Sequence, residues 1–264
     1  MARLCRVAVS IVLVALGSTV STLAPANAAL PGNVSAAARG TIGTVVTGAS
    51  QFTVTGDTTL SMSVAQISGG QAHVVAGPGG SLPSAIKFPA YVSSGTYPRA
   101  VVRATPTSGE ALDPGYADFE FGAVMRLNAV SSGRTEDNGD NVFQRGLFNE
   151  PSMFKLQLDG GRPSCFVRGA SGLATVRSSV SVARGSWYTV RCSRAGGQLS
   201  IDVTAWGSST KVRTSVWQAS GNVSFPSSRA ASIGGKLDSL GEIVSGASDQ
   251  MNGAVAQVWS NRLG

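Results

Sequence analysis

Histidine is almost missing from this sequence, with His73 alone among 264 residues, and cysteine is nearly as rare, with three. A zinc site built from several imidazoles or free thiolates is thereby excluded, and a Ser-His-Asp system would have to run through His73. Neither a Gly-x-Ser-x-Gly elbow nor a Gly-x-x-x-x-Gly-Lys phosphate loop is present. Charge is sparse too: Asp, Glu, Lys and Arg make up 13% of the chain, and the i, i+4 ion-pair runs of surface helices do not occur. Among the 14 acidic residues, Asp118 and Glu120 are the sole pair spaced i, i+2. Retaining glycosidases need two carboxyls about 5–5.5 Å apart, which that spacing on a strand could supply. Phe119 and Phe121 are expected to point inward, however, so the two acids fall on a solvated face and the hydrolase motif is absent. The chain is expected not to be an enzyme.

The amino terminus carries a different kind of signal. Arg3 and Arg6 precede an apolar run from Val7 to Leu16, and Ala26-Asn27-Ala28 offers a small-x-small cleavage site. That order is the layout of a secretory signal peptide over residues 1–28. A membrane anchor is the alternative, but the run falls short of the ~20 residues that span hydrocarbon, and no later segment is apolar enough to cross. The protein is therefore expected to be secreted, extracellular or cell-wall associated, with no membrane insertion after the signal is removed. The formal net charge of +7 is not organised. Arg168, Arg177, Arg184, Arg191 and Arg194 are scattered and read as solvated strand faces, without the clustered basic stripe of nucleic-acid binders.

The remainder reads as β-structure. Phe154, Leu156 and Leu158 alternate with Lys155, Gln157 and Asp159; Tyr188, Val190 and Cys192 alternate with Thr189 and Arg191; Leu199, Ile201 and Val203 alternate with Ser200, Asp202 and Thr204. Period two sends one face to a core and the other to water, which predicts antiparallel sheets in a sandwich. Asp159-Gly160-Gly161 and Ala195-Gly196-Gly197 mark turns between strands. Residues 29–84, poor in charge, are expected to supply opening strands of the same sandwich, a loosely attached arm being the alternative, and 85–264 its main body. Cys5 leaves with the signal, so Cys165 and Cys192 remain as an even pair in an oxidising compartment. A disulfide is expected, with Cys165 on a strand paired close to that of Cys192; two buried free thiols are the alternative.

From Ala85 onward, short pieces follow one another in a set order. They include Asp140-Asn141-Val142-Phe143-Gln144-Arg145-Gly146, Pro163-Ser164-Cys165, Gly185-Ser186-Trp187-Tyr188-Thr189-Val190-Arg191-Cys192, Ile233-Gly234-Gly235-Lys236 and Asp249-Gln250-Met251-Asn252-Gly253. In that order they resemble secreted bacterial laminin-G-like domains of the concanavalin A-like lectin/glucanase superfamily. The resemblance implies an all-β, antiparallel jelly-roll sandwich and a non-catalytic binding module, its partner a glycan, a polysaccharide or a cell-surface macromolecule. It also implies calcium at one rim. Asp137, Asn138, Asp140 and Asn141 offer the hard oxygens that Ca²⁺ takes, with Asp137 and Asp140 as the metal ligands; a plain polar turn is the competing reading. Trp187 and Trp259 are expected in the core. Trp206 and Trp217 are expected to be exposed and available to stack on sugar rings. Two other readings stand beside this one. A polysaccharide lyase on the same sandwich would use His73, with Gln71 two residues before it on one strand face, and a structural or adhesive envelope protein would need no discrete ligand.

Overall fold

The structure is a computed structural model, and it describes residues 52–54, 59–108 and 112–263. The segment 1–28, where a signal peptide is expected, and residues 29–51 lie outside the described residues. Fifteen strands follow in order: β1 (Phe52–Val54), β2 (Thr59–Ile67), β3 (His73–Gly79), β4 (Leu82–Lys87), β5 (Arg99–Ser108), β6 (Phe119–Leu127), β7 (Asp140–Arg145), β8 (Met153–Asp159), β9 (Arg162–Gly169), β10 (Gly172–Arg177), β11 (Trp187–Ala195), β12 (Gln198–Ala205), β13 (Lys211–Trp217), β14 (Ala231–Ile233) and β15 (Gly253–Arg262). There is no helix among the described residues, and so none long and apolar enough to cross a membrane.

The strands form two layers. The front sheet runs β13-β12-β11-β6-β15-β4-β3, and β1 adds to it by pairing in parallel with β15. The back sheet runs β10-β9-β8-β7-β14-β5-β2. All other pairings are antiparallel, giving the expected jelly-roll sandwich. β2, β3 and β4 pair with β5, with each other and with β15, so the described residues before Ala85 are laced into both layers.

The period-two pattern does what elementary geometry requires, because successive side chains leave a strand on opposite sides. Phe119, Phe121, Leu127, Phe154, Leu156, Leu158, Leu199 and Ile201 share one fully buried interior. Phe154 sits at its centre, with ring centroids 5.0 Å from Phe121, 5.4 Å from Phe143 and 5.8 Å from Phe225. The turns at Gly160-Gly161 and Gly196-Gly197 hold both central residues at positive φ, the hairpin geometry that matches strand twist and favours glycine.

Three expectations change at this level. Cys165 and Cys192 are bonded, but β9 and β11 are not paired: they belong to opposite sheets, and the bridge passes through the interior with Cα atoms 5.8 Å apart. The layers approach there more closely than the ~10 Å usual for stacked sheets. Trp187 and Trp259 lie outside the main core, in a small cluster on the outer face of the front sheet with Val75, Val124 and Ala254. Trp259 lies over Gly122, where a Cβ would stand 2.4 Å from the indole, and the Arg126 guanidinium lies 5.0 Å from the Trp187 ring centroid. Arg194 is not a solvated strand residue but is 5% exposed. Its guanidinium lies 4.7 Å from the Phe119 ring centroid and donates to Gly221 O at 2.7 Å and Gly115 O at 3.0 Å, binding two loops at one end.

Candidate functional site

The loop leading into β7 holds the sequence-predicted oxygens, and it is more enclosed than a polar turn. Asp137 and Asp140 are both fully buried. Asp140 Oδ1 accepts from the backbone N–H of Asn252 at 2.7 Å and from Ser131 Oγ at 3.1 Å, and Oδ2 accepts from Ser131 N at 3.4 Å. It thus ties the β6–β7 connection to the approach of β15. Asp137 Oδ2 accepts from the Tyr97 hydroxyl, while its Oδ1 has no partner. Burial pushes the Asp137 carboxyl up to about 9, with Asp140 and Asp249 adding to the rise. Burial also lifts Asp140 to about 6 against the hydrogen bonds from Asn252 and Ser131. Asn138 is exposed and gives its backbone N–H to Asp249 Oδ1 at 3.3 Å. Asp249, at φ 42°, pairs through Oδ2 with Lys236.

Calcium, implied by the family resemblance, does not fit Asp137 and Asp140 as a pair. A hard cation needs several oxygens free to converge. Asp140 has both of its oxygens committed to neighbouring donors, and Asp137 is held by Tyr97 in surroundings that favour its neutral form. Among the described residues no three His, Cys, Asp or Glu side chains are grouped as a metal site requires.

The two tryptophans are exposed, Trp206 at 37% and Trp217 at 79%. They do not share a groove. Trp206 follows β12 and Trp217 closes β13, opposite Gln198, so the seven-residue strand β13 separates them by about 20 Å at ~3.3 Å per residue. His73 opens β3, an edge strand of the front sheet, and is exposed; Gln71 lies before the strand begins, also exposed. The strand face on which both were expected does not include Gln71. Glu120 pairs with Arg191 and accepts from Asn261 at 3.0 Å, and Asp118 accepts from Gly196 N at 3.0 Å.

Asn141 leads to another surface. It pairs with Gln157, yet Phe143 pairs with Leu156, so Val142 is an extra residue and β7 bulges. Phe154, Leu156 and Leu158 face the core; Lys155 and Gln157 therefore face outward, and the bulge turns Asn141 and Gln144, three residues apart, to that same outer face. The register then sets two polar rows side by side. Ser232, Gln144, Lys155, Phe166 and Thr175 lie across β14, β7, β8, β9 and β10. Asn141, Gln157, Ser164 and Arg177 lie in the next row.

These rows are not a solvated strand face. Asn141, Gln144 and Ser164 are at most 3% exposed. Asn141 Nδ2 donates to Gly235 O at 2.5 Å and Gln144 Nε2 to Gly146 O, which fixes both amide orientations and leaves each carbonyl oxygen aimed elsewhere. Asn141 Oδ1, Gln144 Oε1 and Ser164 Oγ have no hydrogen-bond partner. Lys155, half-buried, lies with its Nζ 5.6 Å from the Phe166 ring centroid. Burial pushes its ammonium down to about 8, Lys236 acting in the same direction and Asp249 and Asp159 against it. Residues 234–250 wall one side by crossing the outside of β5 and β2. Arg103 Nε donates to Gly241 O at 2.8 Å there, and Leu237 and Ile243 pack on Val101. At the far end of the face Phe148, 60% exposed, lies with its ring centroid 4.9 Å from the Arg168 guanidinium.

No family model matches this chain, and no curated protein does. Solved structures resemble it in architecture. The enzymatically active domain of bacteriophage CBA120 tailspike protein 2 is 11% identical over 80% of this chain and 29% of that one, with a TM-score of 0.49. The LG1-3 region of the laminin alpha2 chain is 13% identical over 55% and 28%, TM-score 0.44. The Ruminococcus gnavus IT-sialidase CBM40, bound to alpha2,3 sialyllactose, is 13% identical over 57% and 80%, TM-score 0.40. This chain spans less than a third of the length of the tailspike and laminin chains. These likenesses concern the fold alone.

Reading the sequence missed Gln144, Lys155 and Ser164 as site residues. The signal was the spacing Asn-x-x-Gln inside a strand-like run: an odd separation puts two polar residues on opposite faces unless the strand bulges between them.

Proposed function

We propose that the chain is a non-catalytic extracellular module that binds glycan across the outer face of its back sheet. One observation carries the reading: three buried polar atoms on β7 and β9, the strands either side of β8, lack partners beside Lys155 and Phe166, namely Asn141 Oδ1, Gln144 Oε1 and Ser164 Oγ. Buried polar atoms are normally hydrogen-bonded. A polyhydroxylated ligand brings many donors and acceptors to one flat surface, and an aromatic ring beside them offers an apolar face to the sugar C–H groups. The extracellular setting is supported by the Cys165–Cys192 bridge, a kind of bond that persists in oxidising compartments, and by the signal-like residues 1–28.

The test uses polysaccharides in affinity electrophoresis and titration calorimetry, with Ser164→Ala as the variant. Removing an unpartnered buried hydroxyl leaves no broken hydrogen bond in the fold. The variant should melt at the same temperature as the parent or higher, yet lose about fivefold or more in glycan affinity, the worth of one hydrogen bond of ~1 kcal/mol. Failure of the parent to bind any polysaccharide would end the reading. Release of new sugar ends from a bound polymer would replace it with an enzymatic one.

A further inference from the structure

The outer face of the back sheet holds four cations without an ion pair among the described residues, Lys155, Arg162, Arg168 and Arg177. Of these, Lys155 and Arg168 flank its aromatic residue Phe166, the carboxylates of Asp249 and Asp159 acting on Lys155 from a distance. Lys155 and Arg168 have no ion-pair partner among the described residues, whereas Arg103, Arg229 and Lys236 around them are paired with Glu242, Glu150 and Asp249. Arg168 Nε is buried without an acceptor, and its guanidinium is held over Phe148 by ring contact alone. The register gives their relation. Lys155 stands directly opposite Phe166 on β9, and Arg168 is two residues further along the same strand and the same face. Such diagonal neighbours are about 7–8 Å apart, and Phe166 adjoins both. Leaving two cations half-desolvated and unpaired is costly in a resting protein, and the natural compensation is an anion supplied from outside.

We propose that this face takes an anionic glycan, whose carboxylate or sulfate group stands between Lys155 and Arg168. The proposal rests on the glycan-binding reading above and narrows it to a substrate class. The ammonium supplies a point charge and the guanidinium a planar fork suited to a two-oxygen anion. Asn141, Gln144 and Ser164 lie beside them to meet the sugar hydroxyls, and Phe166 offers its ring to the pyranose. A carboxylate and a sulfate ester share this chemistry, and the probes separate them.

The experiment titrates the full secreted chain with polygalacturonate, with dextran sulfate and with unmodified dextran, at low and at high salt, using the parent, Lys155→Met and Arg168→Gln. The expected result is binding of polygalacturonate or dextran sulfate that weakens with salt and falls about tenfold or more in each variant. Whichever polymer shows that drop identifies the anion. Lys155→Met should melt no lower than the parent, because an unpaired half-buried ammonium is exchanged for an apolar chain of similar reach. Binding of dextran with equal affinity by parent and Lys155→Met overturns the anionic assignment and leaves glycan binding standing. Binding of dextran sulfate that neither substitution changes also overturns it, since the net positive charge of the whole chain then accounts for the attraction. If none of the three polymers binds, and a wider glycan panel also fails, the underlying reading falls with it.

Discussion

Tyr97 donates its hydroxyl proton to Asp137 at a point where neither side chain reaches water, the tyrosine being 3% exposed and the aspartate 0%. The loop between β4 and β5 is thereby fastened to the loop entering β7, through a carboxyl group whose other oxygen has no partner.

That arrangement sets a pH dependence. Burial, then Asp140 and Asp249, raise Asp137 from 3.8 to about 9, so the folded chain holds a proton there that the unfolded chain releases. The stabilisation is complete below about pH 4 and is lost as pH climbs toward about 9. Thermal melts should show the parent losing midpoint between about pH 5 and pH 8, and Asp137→Asn, which stays neutral, losing less. A variant that loses as much as the parent would show that Asp137 does not hold the proton.

Calcium should leave the melting midpoint unchanged at millimolar concentration, because Asp140 is committed to Ser131 and Asn252. An ion bound only to the folded state would raise the midpoint by mass action. A calcium-dependent rise that disappears in Asp137→Asn would place an ion at that loop and reverse this expectation.

The bridge between β9 and β11 closes a span of 27 residues. In the chain-entropy model such a loop contributes about 3.5 kcal/mol. Cys165→Ala with Cys192→Ala should lower the free energy of unfolding in urea by about that amount or more, the two buried sulfurs leaving space behind them. A loss under about 1 kcal/mol would mean that packing alone holds the layers together.

Arg145 is 2% exposed and serves three carbonyls: Leu112 at 2.5 Å, Arg229 at 2.9 Å and Pro226 at 3.3 Å, with its guanidinium 4.5 Å from the Phe225 ring centroid. Arg145→Met should cost about 3 kcal/mol or more, since each stranded buried acceptor costs ~1–3 kcal/mol. Arg145→Lys should recover only part of this, because an ammonium cannot fork to three acceptors. Urea midpoints check both; full recovery by lysine would reduce the role to charge alone.

The layering was legible from particular runs. Phe154 to Asp159 alternates with no interruption, and the core lies on the side the alternation indicates. The pairing of the cysteines was legible from their number, but their path was not. Two strands can be bridged from the same sheet or from facing sheets, and only the order β13-β12-β11-β6 against β10-β9-β8-β7 decides between them. Lys155 was misread because alternation reports which side of a strand a residue takes, not whether loops later cover that side. Arg194 was misread for another reason: it takes the inward side with Val190 and Cys192, opposite Phe119 and Leu199, and a connection from far along the chain closes over it at Gly221. Trp259 was assigned to the interior because tryptophan is usually buried; Gly122, with no side chain, makes a shelf for it on the outside instead.

The extra residue in β7 makes the make-up of the outer face a matter of counting. Asn141 and Gln144 are an odd interval apart and share that face because Val142 is taken up out of step with β8. Were the same residues paired in an even pleat, Asn141 would cross to the greasy side while Gln144 kept its place; were Val142 lost, the interval would become even and both would stay outside. Half of the polar floor therefore depends on an irregularity of pairing and not on the residues that compose it alone.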